Sequence, residues 1–162
     1  MAKRLTTTLH SLQENHFWTI LLLFVFLTVF KGYDRLIYAG IWAEDGQVFL
    51  KQALEIGWPS IFQSYAGYFH TLPRIIAYAA SFLPFAFIPL FLVIVSYLLF
   101  AFIISYIVRK EFRWLFSDCR FALLAAMLLF LAPGQVEMLG NLTNLHWYLL
   151  LWLGILGLKD PE

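Results

Sequence analysis

Charge is what this chain has least of. Only 13% of its 162 residues are Asp, Glu, Lys or Arg, whereas 62% are hydrophobic and 19% aromatic. An ordinary soluble domain carries about a quarter charged residues. A soluble fold of this length could not keep so much apolar surface from water, so an integral membrane protein is expected. Cysteine is nearly absent. Cys119 stands alone, which excludes an intrachain disulfide framework, and beside Arg120 at a predicted helix start it reads as an inert thiol. The chain has no Gly-rich phosphate loop or Rossmann pattern, no internal repeat, and no Gly/Ser- or Pro-rich linker. A single membrane domain over 1–162 is therefore expected. A net charge of +1 gives no sign of a nucleic-acid face.

What is present is a set of apolar stretches at 17–30, 85–108, 121–132 and 145–158. Only the second by itself reaches the ~20 residues that cover ~30 Å of hydrocarbon. With their flanks, an all-α membrane protein of about four transmembrane helices is predicted, with crossings near 13–33, 85–108, 121–139 and 143–158 and a loop over 34–84. Lys3 and Arg4, then Arg109, Lys110, Arg113 and Arg120, then Lys159, all fall on one side of such a layout. The positive-inside rule makes that side cytoplasmic, with both termini inside, and sends loops 31–84 and 133–144 outside. The N-terminal run also resembles a secretory signal, but Lys31-Gly32-Tyr33-Asp34 follows it in place of a small-residue cleavage site.

A loop of about 50 residues between membrane helices is too long for a mere connector. Over 47–56, Phe49, Leu50, Ala53 and Leu54 share one helical face, and Gln47, Lys51, Gln52 and Glu55 share the other. This helix either lies on the outer membrane surface, with Trp58 near the headgroups, or packs on the protein itself. A second helix is predicted from Pro73 toward Phe82, with Leu72, Ile75, Ile76 and Ala79 as its apolar stripe. Ahead of the first stands Ala43-Glu44-Asp45-Gly46, whose acids are either helix-start dipole partners or functional carboxylates. Further on, Tyr65-Ala66-Gly67-Tyr68 reads as an aromatic turn, and His70 and Arg74 stand at i,i+4 spacing. An imidazole and a guanidinium fork near a membrane surface suit a phosphate, although Arg74 could equally snorkel to headgroups and His70 could cap a turn. The second outer loop adds Glu137 and the run Asn141-Leu142-Thr143-Asn144-Leu145-His146-Trp147. Its asparagines either satisfy helix ends or line a cavity, and its first three residues spell a glycosylation sequon.

Trp42-Ala43-Glu44-Asp45-Gly46, Tyr65-Ala66-Gly67-Tyr68 with His70 and Pro73-Arg74, and 133–137 with Asn144 and Trp147 together resemble a branch of bacterial GT-C-type polytopic membrane glycosyltransferases. The resemblance covers most of 40–148. It implies transfer of a sugar from a polyprenyl-phosphate donor to an acceptor on the outer side of the plasma membrane, with inversion. It gives Asp45 the part of general base, and Glu44 that of orienting the acceptor or assisting a divalent metal. His70 and Arg74 hold the departing phosphate, with Tyr68 alongside, while Glu137, Asn144 and Trp147 line the sugar cavity. Proteins of this fold have more crossings than four, so the chain is expected to be part of a larger fold or to need a partner subunit. The readings from other classes are a transporter or flippase component, and a small non-catalytic membrane protein. Against transport, no Asp, Glu, Lys or Arg lies at the centre of an apolar stretch.

Overall fold

An unbroken run without Pro or Gly carries α1 from Ala2 to Lys31, and Gly32 closes it by donating its N–H to the Thr28 carbonyl at 3.0 Å. The structure is a computed structural model; it describes residues 2–116, 118–132 and 139–159, with side-chain surroundings from Phe17 onward. The Tyr97 hydroxyl donates to the Gly32 carbonyl at 2.6 Å. A Cβ at Gly32 would run into the Tyr97 ring, so this close approach needs glycine. A short α2, Tyr33–Ile37, follows.

The described residues are mostly helical. At the centre is α5, Ile88–Tyr106, against which α1, α2, α4 (Thr71–Ala80), α6 (Cys119–Leu131) and α7 (Leu145–Gly157) all pack. Leu92, Val93, Tyr97, Phe100, Ala101 and Ile104 fill the contact, and Ser96 and Ser105 are buried among them. Ser105 Oγ donates to the Ala101 carbonyl at 2.7 Å, which spares a hydroxyl in an apolar interior an unmet hydrogen bond. At the N-terminus of α6 the Asp118 carboxylate accepts from the Arg120 amide at 2.9 Å.

Phe85–Tyr106, 22 residues with a mean hydropathy of 2.8, is the one helical stretch among the described residues long and apolar enough to cross a membrane. Phe17–Lys31, Cys119–Leu131 and Leu145–Gly157 are shorter apolar helices. Their outward faces are as hydrophobic as the core. Trp18, Leu22, Phe26 and Phe30 on α1, Leu124 and Leu128 on α6, and Leu150 and Leu153 on α7 are all exposed. Helix α6 ends at Leu131, and Ala132 is already extended at ψ 142, because a residue before proline is kept out of the helical region; the expected continuation of the third stretch toward 139 falls on residues outside those described. The fourth helix runs from Leu145.

The 45–80 segment forms a folded layer on one end of the bundle. A π-helical turn, Asp45–Leu50, runs into α3, Lys51–Ile56, and Gly57 at φ +67 ends it. A 3-10 turn, Trp58–Phe62, leads to a two-strand hairpin, β1 Ser64–Tyr65 and β2 Tyr68–Phe69. Its two linking residues, Ala66 (φ 53) and Gly67 (φ 87), both take the positive φ that tight hairpins require. Helix α4, Thr71–Ala80, then packs on the π turn, α3, the 3-10 turn and α5.

Two predicted faces need correction here. Along the π turn and α3, Phe49, Leu50 and Ala53 pack on the protein, but Leu54 is exposed; the wider π turn shifts the phase of the face. On α4, the buried face is Pro73, Arg74, Ile76, Ala77 and Ala80, while Ile75 points outward. The small Ala77 and Ala80 admit close contact, and Arg74 is drawn inside by polar partners of its own.

Candidate functional site at the loop end of the bundle

Asp45 opens the π-helical turn and is only 1% exposed. Its carboxylate reaches across to the turn that precedes α7. Oδ2 accepts from the Leu142 amide at 2.7 Å, and Oδ1 accepts from the Thr143 amide at 2.8 Å and from the Thr143 hydroxyl at 2.6 Å. Both amides precede Asn144, the N-cap of α7, so the carboxylate pins the turn that leads into the helix, with its charge near the positive end of the helix dipole. In the same turn Asn141 Oδ1 accepts from the Asn144 amide at 2.9 Å. Burial pushes the Asp45 carboxyl above its ordinary range; the hydrogen bonds from Thr143 and Leu142 pull it part of the way back, and the neighbouring Glu44 pushes it up again. Glu44 itself is half-buried at the start of the turn.

Arg74 lies inside α4's contact face at 1% exposure. Nη1 donates to Gln52 Oε1 at 2.6 Å and to the Ser60 carbonyl at 2.9 Å, and the guanidinium sits over the Phe49 ring at 5.1 Å. Nε and Nη2 have no hydrogen-bond partner among the described residues. The side chain thus rivets α4 to α3 and the 3-10 turn, and it does not present a fork to the surface.

His70, just ahead of α4, is 3% exposed. Its ring stacks on Tyr68 at 4.3 Å, tilts against Phe49 at 5.3 Å and Tyr65 at 5.6 Å, and meets His146 edge-on at 6.0 Å. Neither ring nitrogen forms a hydrogen bond of good geometry among the described residues. Burial pushes its pKa down, the charge of His146 adds to that, the Tyr68 backbone pulls it up, and Arg74 pushes it down again. A base so depressed contributes stability that is complete above its ordinary value of about 6.5 and is lost as pH falls through the folded value. His70→Phe keeps the ring packing and removes both unpaired nitrogens. The expected result is a gain of about 1 kcal/mol at pH 6 together with loss of the acid-induced weakening. Unfolding curves in mixed micelles at pH 5 and 7.5 check this; a variant as acid-sensitive as the parent contradicts it.

His146 connects the two centres. Its Nδ1 lies 2.8 Å from the Thr143 carbonyl, which can only accept, so Nδ1 carries a proton. Tyr68, 47% exposed, and Trp147, 53% exposed, lie with ring centres 6.1 and 4.8 Å from the His146 ring. The structure therefore brings His70, Arg74 and Tyr68 together through Phe49. It joins them by way of His146 to the turn that holds Asp45, Asn144 and Trp147. Glu137 lies outside the described residues. Among those described, no three His, Cys, Asp or Glu side chains gather as a metal site, so they offer no prepared ligand set for a divalent ion beside Glu44.

Thr143, His146 and Gln52 are the participants that sequence reading passed over. The sequon that contains Thr143 is closed off, since Asn141 is fully buried. The signal that could have revealed it was the polar run just before an apolar helix, a helix-start pattern that calls for a carboxylate or amide cap. Compared with protein-family models, curated proteins and solved structures, the chain matches none.

Proposed function

We propose that this chain is a four-crossing membrane protein whose loop end faces outward, and that this end belongs to an inverting sugar transferase using a polyprenyl-phosphate donor. Several contacts support the layout. Arg109 stacks over Phe17 at 5.5 Å, and Trp114 Nε1 donates to the Leu158 carbonyl at 2.7 Å. These draw the start of the apolar part of α1, the basic 109–120 link and the end of α7 to the pole opposite Asp45. That basic pole is the cytoplasmic one, with both termini. Helices α6 and α7, 13 residues each, rise about 20 Å and cross with the help of their flanking turns.

The observation that carries the catalytic reading is a buried carboxylate already holding a hydroxyl. Thr143 Oγ1 stands 2.6 Å from Asp45 Oδ1, where an acceptor hydroxyl would stand, and the exposed faces of Tyr68 and Trp147 flank His146 close by. Aromatic faces of this kind offer platforms to a sugar ring. When the 141–144 turn lifts, the acceptor hydroxyl takes the place of Thr143. Its oxygen attacks the anomeric carbon, its proton passes to Asp45, and the bond to the donor phosphate breaks with the electron pair leaving on phosphate. Further helices, from a partner subunit or a longer chain, enclose the donor.

The test is sugar transfer to a surface polymer, normalised to folded protein. Asp45→Asn is expected to lower transfer by about 100-fold or more. Thr143→Val, which removes the clamp hydroxyl alone, is expected to leave transfer within a few-fold. Equal transfer in Asp45→Asn and the parent sinks the general-base role. The full set of partners on Asp45 favours one second reading, a non-catalytic membrane protein in which the carboxylate only ties two loops together. That reading predicts no sugar transfer by the parent or by either variant.

A further inference from the structure

The transferase reading needs a cation for the lipid phosphate, and Arg74, turned inward onto Gln52 and Ser60, is not placed to meet one. A second arginine is better placed. Arg35 on α2 lines a cleft of about 290 Å³ together with Tyr38, Gly40, Ile41, Trp42 and Gly140. Its guanidinium lies over the Trp42 ring at 5.6 Å, which orders the fork at the cleft wall. Behind it the backbone comes close. Gly140 has φ +83, and a Cβ there would stand 3.2 Å from Arg35 Cδ and 3.3 Å from Tyr97 Cε1. The absence of a side chain at that point is therefore what gives the arginine its seat.

The surroundings specify a ligand with a lipid tail. A groove of about 480 Å³ shares the Ile41–Trp42 wall with the cleft; Leu50, Leu54 and Phe85 make most of its remaining lining apolar, and Gln47, Lys51 and Glu55 give it a polar edge. Tyr38 and Trp42, which line the cleft, are exposed, as is Tyr33 on α2; aromatic side chains of this kind settle at the boundary between headgroups and hydrocarbon. A cationic cleft and an apolar groove on either side of one tryptophan match the two halves of a lipid phosphate.

We infer that the Arg35–Trp42 cleft binds the phosphate of a lipid-anchored phosphate whose chain lies in the adjoining Leu50–Leu54–Phe85 groove. The inference rests on the transferase reading for its choice of a polyprenyl phosphate, and it gives that site its anion-binding residue. Trp42 lines both the cleft and the groove, and Gly46, next to Asp45, lines the groove, so the lipid site and the carboxylate share one stretch of chain.

The experiment measures binding to the purified protein in detergent by native mass spectrometry. The probes are a polyprenyl monophosphate, phosphatidylglycerol and inorganic phosphate. The variants are Arg35→Gln, Arg35→Lys and Gly40→Leu. Gly40 has open space where a side chain would go, with only the Tyr38 carbonyl at 4.0 Å. Leucine there fills the cleft without touching the arginine. Arg35→Gln and Gly40→Leu are each expected to weaken the polyprenyl probe at least tenfold with the melting temperature kept, and Arg35→Lys to restore most of it. Undiminished binding in Gly40→Leu, or in a folded Arg35→Gln, overturns the proposal. Preference for the polyprenyl probe over phosphatidylglycerol marks a donor site, whereas equal affinity marks a headgroup site; both uphold the cleft, and only the second counts against the transferase. Loss of sugar transfer in Asp45→Asn with lipid binding unaffected by Arg35→Gln leaves the transferase reading standing and removes this one.

Discussion

Asp45→Ala should lower the stability of the folded protein by about 3–5 kcal/mol, and Asp45→Asn by about 2–3 kcal/mol. The difference follows from counting acceptors. In the parent, two backbone amides and one hydroxyl converge on two separate carboxylate oxygens. Asparagine has one acceptor oxygen and an NH₂, so either Leu142 or Thr143 must point its amide at another donor. Alanine leaves all three donors without a partner in a site that excludes water. The damage is local in origin and global in effect, because residues 97 and 98 positions apart in sequence lose their tie at once. Hydrogen exchange should show it first at the Leu142 and Thr143 amides. Protection there unchanged in both variants would contradict the clamp. The pH dependence provides a second reading of the same group. Burial raises the Asp45 pKa, so the pH-dependent part of the stability that this group adds is fully present below the ordinary carboxylate value of about 4 and is lost as pH rises through the higher folded value, while the hydrogen bonds that it accepts remain. His70 acts in the opposite sense over its own range. Asp45→Asn should therefore flatten the first trend and His70→Phe the second.

The apolar stretches were legible because membrane-grade hydrophobicity is written residue by residue, and each of them contains a helix. The turn at Ala66-Gly67 was legible as turn chemistry. What sequence could not show was depth. Ile75 and Ala79 satisfy a helical stripe as well as Ile76 and Ala80 do, and only the position of Arg74 decides between them. In a soluble protein an arginine marks the wet face. Here the outward face is itself apolar, so the usual inference from charge to surface reverses. The same reversal hid the role of Asp45. An acid at a helix start suggests a cap for its own helix, yet this one caps the turn before α7, a pairing that no local pattern encodes. Asn141-Leu142-Thr143 was visible as a triplet, but its meaning depended on the carboxylate arriving from the other loop.

Arg74→Ala should destabilise by about 3–5 kcal/mol, through a cavity beside Phe49 and the loss of charge-assisted hydrogen bonds to Gln52 and the Ser60 carbonyl. Arg74→Met separates the two causes. A methionine refills most of the space, and it removes Nε and Nη2, which burial leaves without partners among the described residues. Replacing a buried charge by an apolar side chain of similar volume is often close to neutral, so Met should recover about 2 kcal/mol or more relative to Ala. Mixed-micelle unfolding of the two variants beside the parent measures this. Equal losses in Ala and Met would mean that the hydrogen bonds carry nearly all of the contribution and packing little. The pair also bears on function. If Arg74 is a rivet, Arg74→Met should fold and still bind a polyprenyl monophosphate, because no surface fork has been lost. A folded Arg74→Met that fails to bind the lipid would return the phosphate to Arg74, and would require the layer formed by α3, the 3-10 turn and α4 to open before the donor could reach it.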